Sequence, residues 1–203
     1  MACAQGRDTV GLSVMILGLV LFLGVHLVST RRDLRARLIA KHGESLYKLG
    51  YALVSALGLA LIVWGFAKYR ATGWIDVWYP PAGMRHATVA LMLPSAVLLV
   101  AAYVRGGIYR VVKHPMLTAV KLWAFAHLLS NGDLGSIILF GAFLAWAVVD
   151  RISLKRRTDP GSPPIPVGGV LNDVIAVAVG IVVYLALGFA FHPVVIGVPV
   201  FGA

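Results

Sequence analysis

The sequence predicts an all-α fold, a polytopic membrane bundle of about six transmembrane helices with a short hairpin among them. Three observations carry this. The 203 residues are 60% hydrophobic and only 13% charged, with a mean hydropathy of +0.88, against about 25% charged in ordinary soluble domains. Long runs without charge recur along the chain. The charged residues fall between those runs rather than along one face of them.

The elements follow in order. Residues 9–28 carry no charge, and about 20 residues of helix cross a bilayer. "STRRDLRARL" follows without a small-residue cleavage site, so this run is read as a retained helix rather than a signal peptide. Spans two and three are placed at 49–67 and 87–104, the latter with a kink expected at Pro94. Spans four and five, 115–130 and 134–149, are each about 24 Å long at 1.5 Å per residue. Only Asn131, Gly132 and Asp133 join them, a turn signal. They are expected to form the short antiparallel hairpin, with Gly135, Gly141, Ala142 and Ala145 as small surfaces for close packing. A linker over 155–169 contains Pro160, Pro163, Pro164 and Pro166. The sixth span is placed at 174–191. No repeat and no second domain is evident, so residues 1–203 read as a single membrane domain.

The formal net charge of +10 raises the question of nucleic acid. No basic stripe with interleaved aromatics is present, so nucleic acid is not an expected partner and the lipid bilayer is. Thirteen Lys and Arg residues lie in the segments after spans one, three and five: Arg31–Lys48, Arg105–Lys113 and Arg151–Arg157. Four, Arg7, Lys68, Arg70 and Arg85, lie on the other side. The excess is expected on the cytoplasmic side, with both termini outward.

Six histidines are present: His26, His42, His86, His114, His127 and His192. His42, in a basic loop, is read as solvated. The others lie in or beside predicted spans, where an ionisable group is costly and points to function, although an imidazole can also simply hydrogen-bond between helices. None of the eight carboxylates lies inside a span, so neither a dinuclear carboxylate centre nor a Ser-His-Asp triad is expected. The single cysteine, Cys3, excludes an internal disulfide and any CxxC motif. Imidazole in apolar surroundings suits iron, copper, zinc or haem. His127 shares a helix face with Trp123, four residues earlier, and this ring could stack on a porphyrin or merely pack. His114 precedes Pro115 and so belongs to the start of its helix. It lies about 20 Å from His127 along that helix, so the two cannot share one metal. Depth along the helix brings His114, rather than His127, level with His26. Lys121 sits mid-helix, placed to meet a carboxylate or to snorkel.

Four stretches, "FLGVH" ending at His26, "KHPMLTAVKLWAFAHLLSNGD", "FGAFLAWAVVDRISLKRR" and "GFAFHP", together resemble the NnrU family. These are bacterial membrane proteins associated with denitrification. The resemblance implies an inner-membrane protein supporting nitrite and nitric oxide metabolism, with nitrite or nitric oxide reductase components as possible partners. The family is similar in turn to zeta-carotene isomerase, a membrane haem b enzyme. That likeness implies haem b as cofactor, with His26 and His127 as its iron ligands and His114 and Trp123 beside them. It also implies an alternative activity, haem-dependent cis-trans isomerisation of an apolar polyene. Ala124 stands where the isomerase has a cysteine, so thiolate ligand switching does not carry over. "GGIYRVVKHP" resembles a stretch of membrane isoprenylcysteine methyltransferases, which makes methyl transfer a further alternative. Whether the protein is an enzyme stays open at this level.

Overall fold

The computed structural model describes residues 9–156 and 165–201. Residues 157–164, the centre of the expected linker, lie outside the described residues. The described chain is helical: α1 (Val10–Val28), α2 (Arg32–His42), α3 (Glu44–Thr72), α4 (Met84–Ala101), α5 (Gly107–Val112), α6 (Pro115–Ser130), α7 (Leu134–Arg156), α8 (Val170–Ala186) and a π-helical segment, Leu187–Ile196. Among the described residues five stretches are long and apolar enough to cross a bilayer: α1, α3, α4, α7, and α8 with the π segment. This is a membrane protein. α6 is largely apolar, with Lys121 and His127 within it, but has only 16 residues, so five of the six expected spans reach crossing length and the fourth is a short helix. α7 corrects the expected short fifth span: at 23 residues it extends about 34 Å. α4 runs unbroken through Pro94 and stops at Ala101.

The chain divides into two compact units, residues 1–79 with 131–146, and residues 80–130 with 147–203. In the first, α1 and α3 are antiparallel and their backbones nearly touch. Gly11 faces Tyr69, Met15 faces Gly65, Gly18 faces Ile62 and Phe22 faces Gly58. A Cβ on Gly18 would lie 2.6 Å from the Ile62 nitrogen, and one on Gly58 2.7 Å from that of Phe22. Lipid tails are as apolar as leucine, so close backbone packing at small residues replaces the hydrophobic drive as the source of association. α2, rich in arginine, has no buried residue. It meets α3 through Gly43 at φ +80°, a value glycine adopts without penalty.

Beyond α3 the chain folds against the turn before α7. Val77 and Trp78 donate to the Gly132 carbonyl at 2.9 and 3.0 Å, and Leu134 donates to that of Ile75 at 2.9 Å. Asp133 is 1% exposed and accepts the Ser136 N–H at 2.9 Å, capping α7. Tyr69 is fully buried, accepts the Ile75 N–H at 3.1 Å and lies against Gly135. Gly135 therefore supports close packing as expected. Gly141 does not: a Cβ there would meet nothing within 4 Å.

In the second unit α4 and α6 run antiparallel. Thr88 Oγ1 donates to the Ala126 carbonyl at 2.7 Å and Ser95 Oγ to that of Ala119 at 2.9 Å. Such interhelical bonds satisfy hydroxyls that lipid cannot. Gly180 of α8 packs against Val97 of α4.

Candidate functional site

His26 belongs to the first unit. Its Nδ1 lies 2.6 Å from the Phe22 carbonyl. Its ring is surrounded by Phe22, Tyr51 and Trp146, with centroids 4.3, 5.3 and 5.8 Å away. The α1–α3 register, carried one turn beyond Phe22 and Gly58, brings Val54 level with His26, one residue from Ser55. Ser55 Oγ and Trp146 Nε1 are buried polar atoms without a hydrogen-bond partner among the described residues. Buried groups of this kind are uncommon.

His127 belongs to the second unit and stands in the last turn of α6. Its Nδ1 lies 2.8 Å from the Trp123 carbonyl, and the Trp123 ring is 5.5 Å away. The face inferred from i−4 spacing is therefore real. Beside it, at 6.3 Å between ring centres and 24° between planes, is His192. His192 lies in the π segment, with Nδ1 2.9 Å from the Leu187 carbonyl five residues back. Pro193 has no N–H to offer a helix, and the wider π turn accommodates it. Such π turns recur at functional sites. Arg85 fixes the chain beyond this segment, donating to the carbonyls of Pro199 at 3.0 Å and Val200 at 2.7 Å.

A carbonyl can only accept, so each of these three rings donates from Nδ1, and in its neutral form offers the lone pair of Nε2. This is the tautomer that ligates metal through Nε2.

The other residues separate. His114 stands immediately before Pro115 at the start of α6, after Lys113 at φ 63°; its carbonyl accepts the Thr118 N–H at 3.1 Å. α6 is unbroken, so His114 and His127 occupy opposite ends. His42 is exposed on α2 and His86 on α4. Among the described residues no carboxylate pairs with Lys121, and no group of three or more His, Cys, Asp or Glu is arranged to hold a metal ion.

The methyltransferase-like stretch has a structural explanation. Gly107 and Ile108 donate their N–H groups to the Asp173 carboxylate at 2.8 and 2.9 Å. A Cβ on Gly106 or Gly107 would collide with that carboxylate. Asn172 Nδ2 donates to the Arg105 carbonyl at 2.8 Å, and Arg110 to that of Gly168 at 2.9 Å. Asp173→Ala leaves two N–H groups unmatched and is expected to cost about 2–4 kcal/mol, with Asp173→Asn costing less. Thermal unfolding in detergent measures both, and equal melting temperatures for wild type and Asp173→Ala would remove the carboxylate from this role.

Sequence reasoning assigned no site role to His192, Ser55, Trp146 or Asp173. Only His192 carried a signal, an imidazole followed by proline inside an apolar run. The others depend on helix register.

No curated protein and no solved structure matches the chain. The family model described as "NnrU protein" matches residues 14–200.

Proposed function

The chain belongs to the NnrU family, and from that premise we propose that it is a haem b-binding protein of the bacterial inner membrane that supports nitrite and nitric oxide metabolism in denitrification. One observation carries the reading. Imidazoles in apolar helices are held by their own backbone in the tautomer that offers Nε2 to iron. α6 and the π segment contain no carboxylate that would compete for such a metal or pair with the rings. His127 is the ligand on which the reading chiefly rests, and His26 is the one the resemblance adds. When bound, haem supplies an iron that changes oxidation state and takes nitric oxide as a ligand. The chain's own share is to hold that iron at a set depth, to flank it with Trp123 and to keep water away with apolar helices. Reductase components of the same membrane are the proposed partners.

Protein purified in detergent from cells with ample haem should show a Soret band and, when reduced, sharp α and β bands. A deletion strain should lose nitric oxide reduction while its carotenoids stay unchanged. A changed carotenoid isomer pattern with normal nitric oxide reduction would favour the polyene isomerase instead. Colourless protein would end the haem reading.

The proposed orientation has both ends of the chain in the periplasm and α2 in the cytoplasm, which requires the short α6, antiparallel to α4, to serve as a sixth crossing beside the five long spans. An alkaline phosphatase fusion after Ala203 should be active and a green fluorescent protein fusion dark. The reverse pattern would invert the topology.

A further inference from the structure

The second unit contains a pair of imidazoles whose separation matches that of two ligands on one iron. His127 and His192 come from different elements and are 65 positions apart in sequence. Their ring centres are nonetheless 6.3 Å apart with planes within 24°. Two imidazoles on opposite sides of one iron need a metal–nitrogen bond of about 2.0 Å each, plus about 1.1 Å from nitrogen to ring centre, which places the centres about 6.2 Å apart. Two ligands at a tetrahedral angle would bring them closer, to about 5 Å. Other ring pairs reach a similar spacing, as Phe66 and Tyr69 do at 6.2 Å and 23°, so the matching Nδ1 anchors of the two imidazoles, and not distance alone, point to a shared iron.

Each ring is independently prevented from turning. His127 is tied to the Trp123 carbonyl one α-turn back, and His192 to that of Leu187 one π-turn back. The π widening matters because it aims His192 at a bond five residues away rather than four. Outside the pair the walls are aromatic: Trp123 lies 5.5 Å from His127, and Phe191 lies 5.9 Å from His192 at 80°. Thr88 joins the first turn of α4 to the carbonyl of Ala126, next to His127. Arg85, one turn earlier on α4, holds the chain that follows His192. Both ligand-bearing segments are thus fixed to α4.

Resting on the haem reading above, we propose that His127 and His192 are the two axial ligands of one haem iron, held entirely within residues 80–130 and 147–203. His26, surrounded by Phe22, Tyr51 and Trp146, is then not required for that iron.

The test uses full-length protein in detergent, with absorption and electron paramagnetic resonance spectra of wild type, His192→Gly, His192→Gln and His26→Ala. Wild type should be six-coordinate and low-spin. His192→Gly should become high-spin, and added imidazole should restore the low-spin spectrum by filling the space left. His192→Gln preserves side-chain bulk, so a high-spin spectrum there guards against a folding artefact in the glycine variant. His26→Ala should stay low-spin. Low-spin haem retained in both His192 variants, or lost in His26→Ala alone, would overturn the pairing while leaving haem binding intact. Wild type without haem would overturn the functional reading itself, and the pairing with it.

Discussion

Gly65→Leu is expected to prevent accumulation of folded protein, and Gly65→Ala to lower stability by about 2–3 kcal/mol. The cause is geometric. The Cβ built at Gly65 falls on the backbone nitrogen of Met15 and within 2.9 Å of the Gly11 carbonyl oxygen. Neither can swing aside as a side chain would, so α1 and α3 must separate. Separation loosens the neighbouring close approaches at Gly11, Gly18 and Gly58 together, because all four share one register. It also withdraws cover from Met15 and Tyr69, both fully buried. With total stabilities near 5–15 kcal/mol, a leucine is expected to exceed what the unit tolerates. Gly24→Ala is the control, since a Cβ there meets nothing within 4 Å and alanine favours helix by about 1 kcal/mol. Yield of monodisperse protein and melting temperature in detergent measure the series. Equal values for Gly65→Leu and wild type would show that α1 and α3 do not pack backbone to backbone.

What the sequence revealed depended on which physical signal each element carried. α1 and α6 were legible almost to the residue, one as an uncharged run ending before arginines, the other bounded by Pro115 and by Asn131-Gly132-Asp133. Hydropathy reports the apolar core of a helix rather than its ends. α3 therefore begins at Glu44, where the Glu44–Lys48 ion pair at 2.8 Å continues the helix into polar surroundings. α7 likewise continues through Asp150 and Arg151 to Arg156. α2 carried no apolar run at all and was missed for that reason. The small residues of the expected hairpin were judged by type alone, which succeeded at Gly135 and failed at Gly141, because whether a glycine faces a neighbour is set by register.

The candidate site was legible to a similar extent. The Trp123–His127 face follows from helical spacing and needed no tertiary information. The Nδ1 bonds to Phe22 and Trp123 are also local, one turn long. The approach of His192 to His127 is tertiary and depends on a π turn that hydropathy does not detect. Asp173 was recognised only as a carboxylate at a span end. Its partners are N–H groups of Gly107 and Ile108, which any sequence motif leaves unspecified.

His127→Ala is expected to lower the haem-to-protein ratio about tenfold or more, where His42→Ala leaves it unchanged and His114→Ala leaves haem bound. The three histidines differ in what their surroundings demand. His42 is exposed on a charged helix, so water already satisfies it. His114 stands at the first turn of α6, where its carbonyl serves Thr118. It is about 20 Å from His127 along the helix, too far to replace it as a ligand. His127 is fixed by a backbone bond at Nδ1 and has another imidazole at 6.3 Å. An alanine there removes the ligand but leaves α6 intact, because the Thr88 and Ser95 bonds to Ala126 and Ala119 involve main-chain carbonyls. Loss of haem should therefore occur without loss of helix, and circular dichroism recorded beside the haem assay separates the two. If His114→Ala lost haem while His127→Ala kept a full low-spin complement, the ligand would lie at the start of α6. The Nδ1 bond of His127 to Trp123 would then only satisfy a polar ring in an apolar helix.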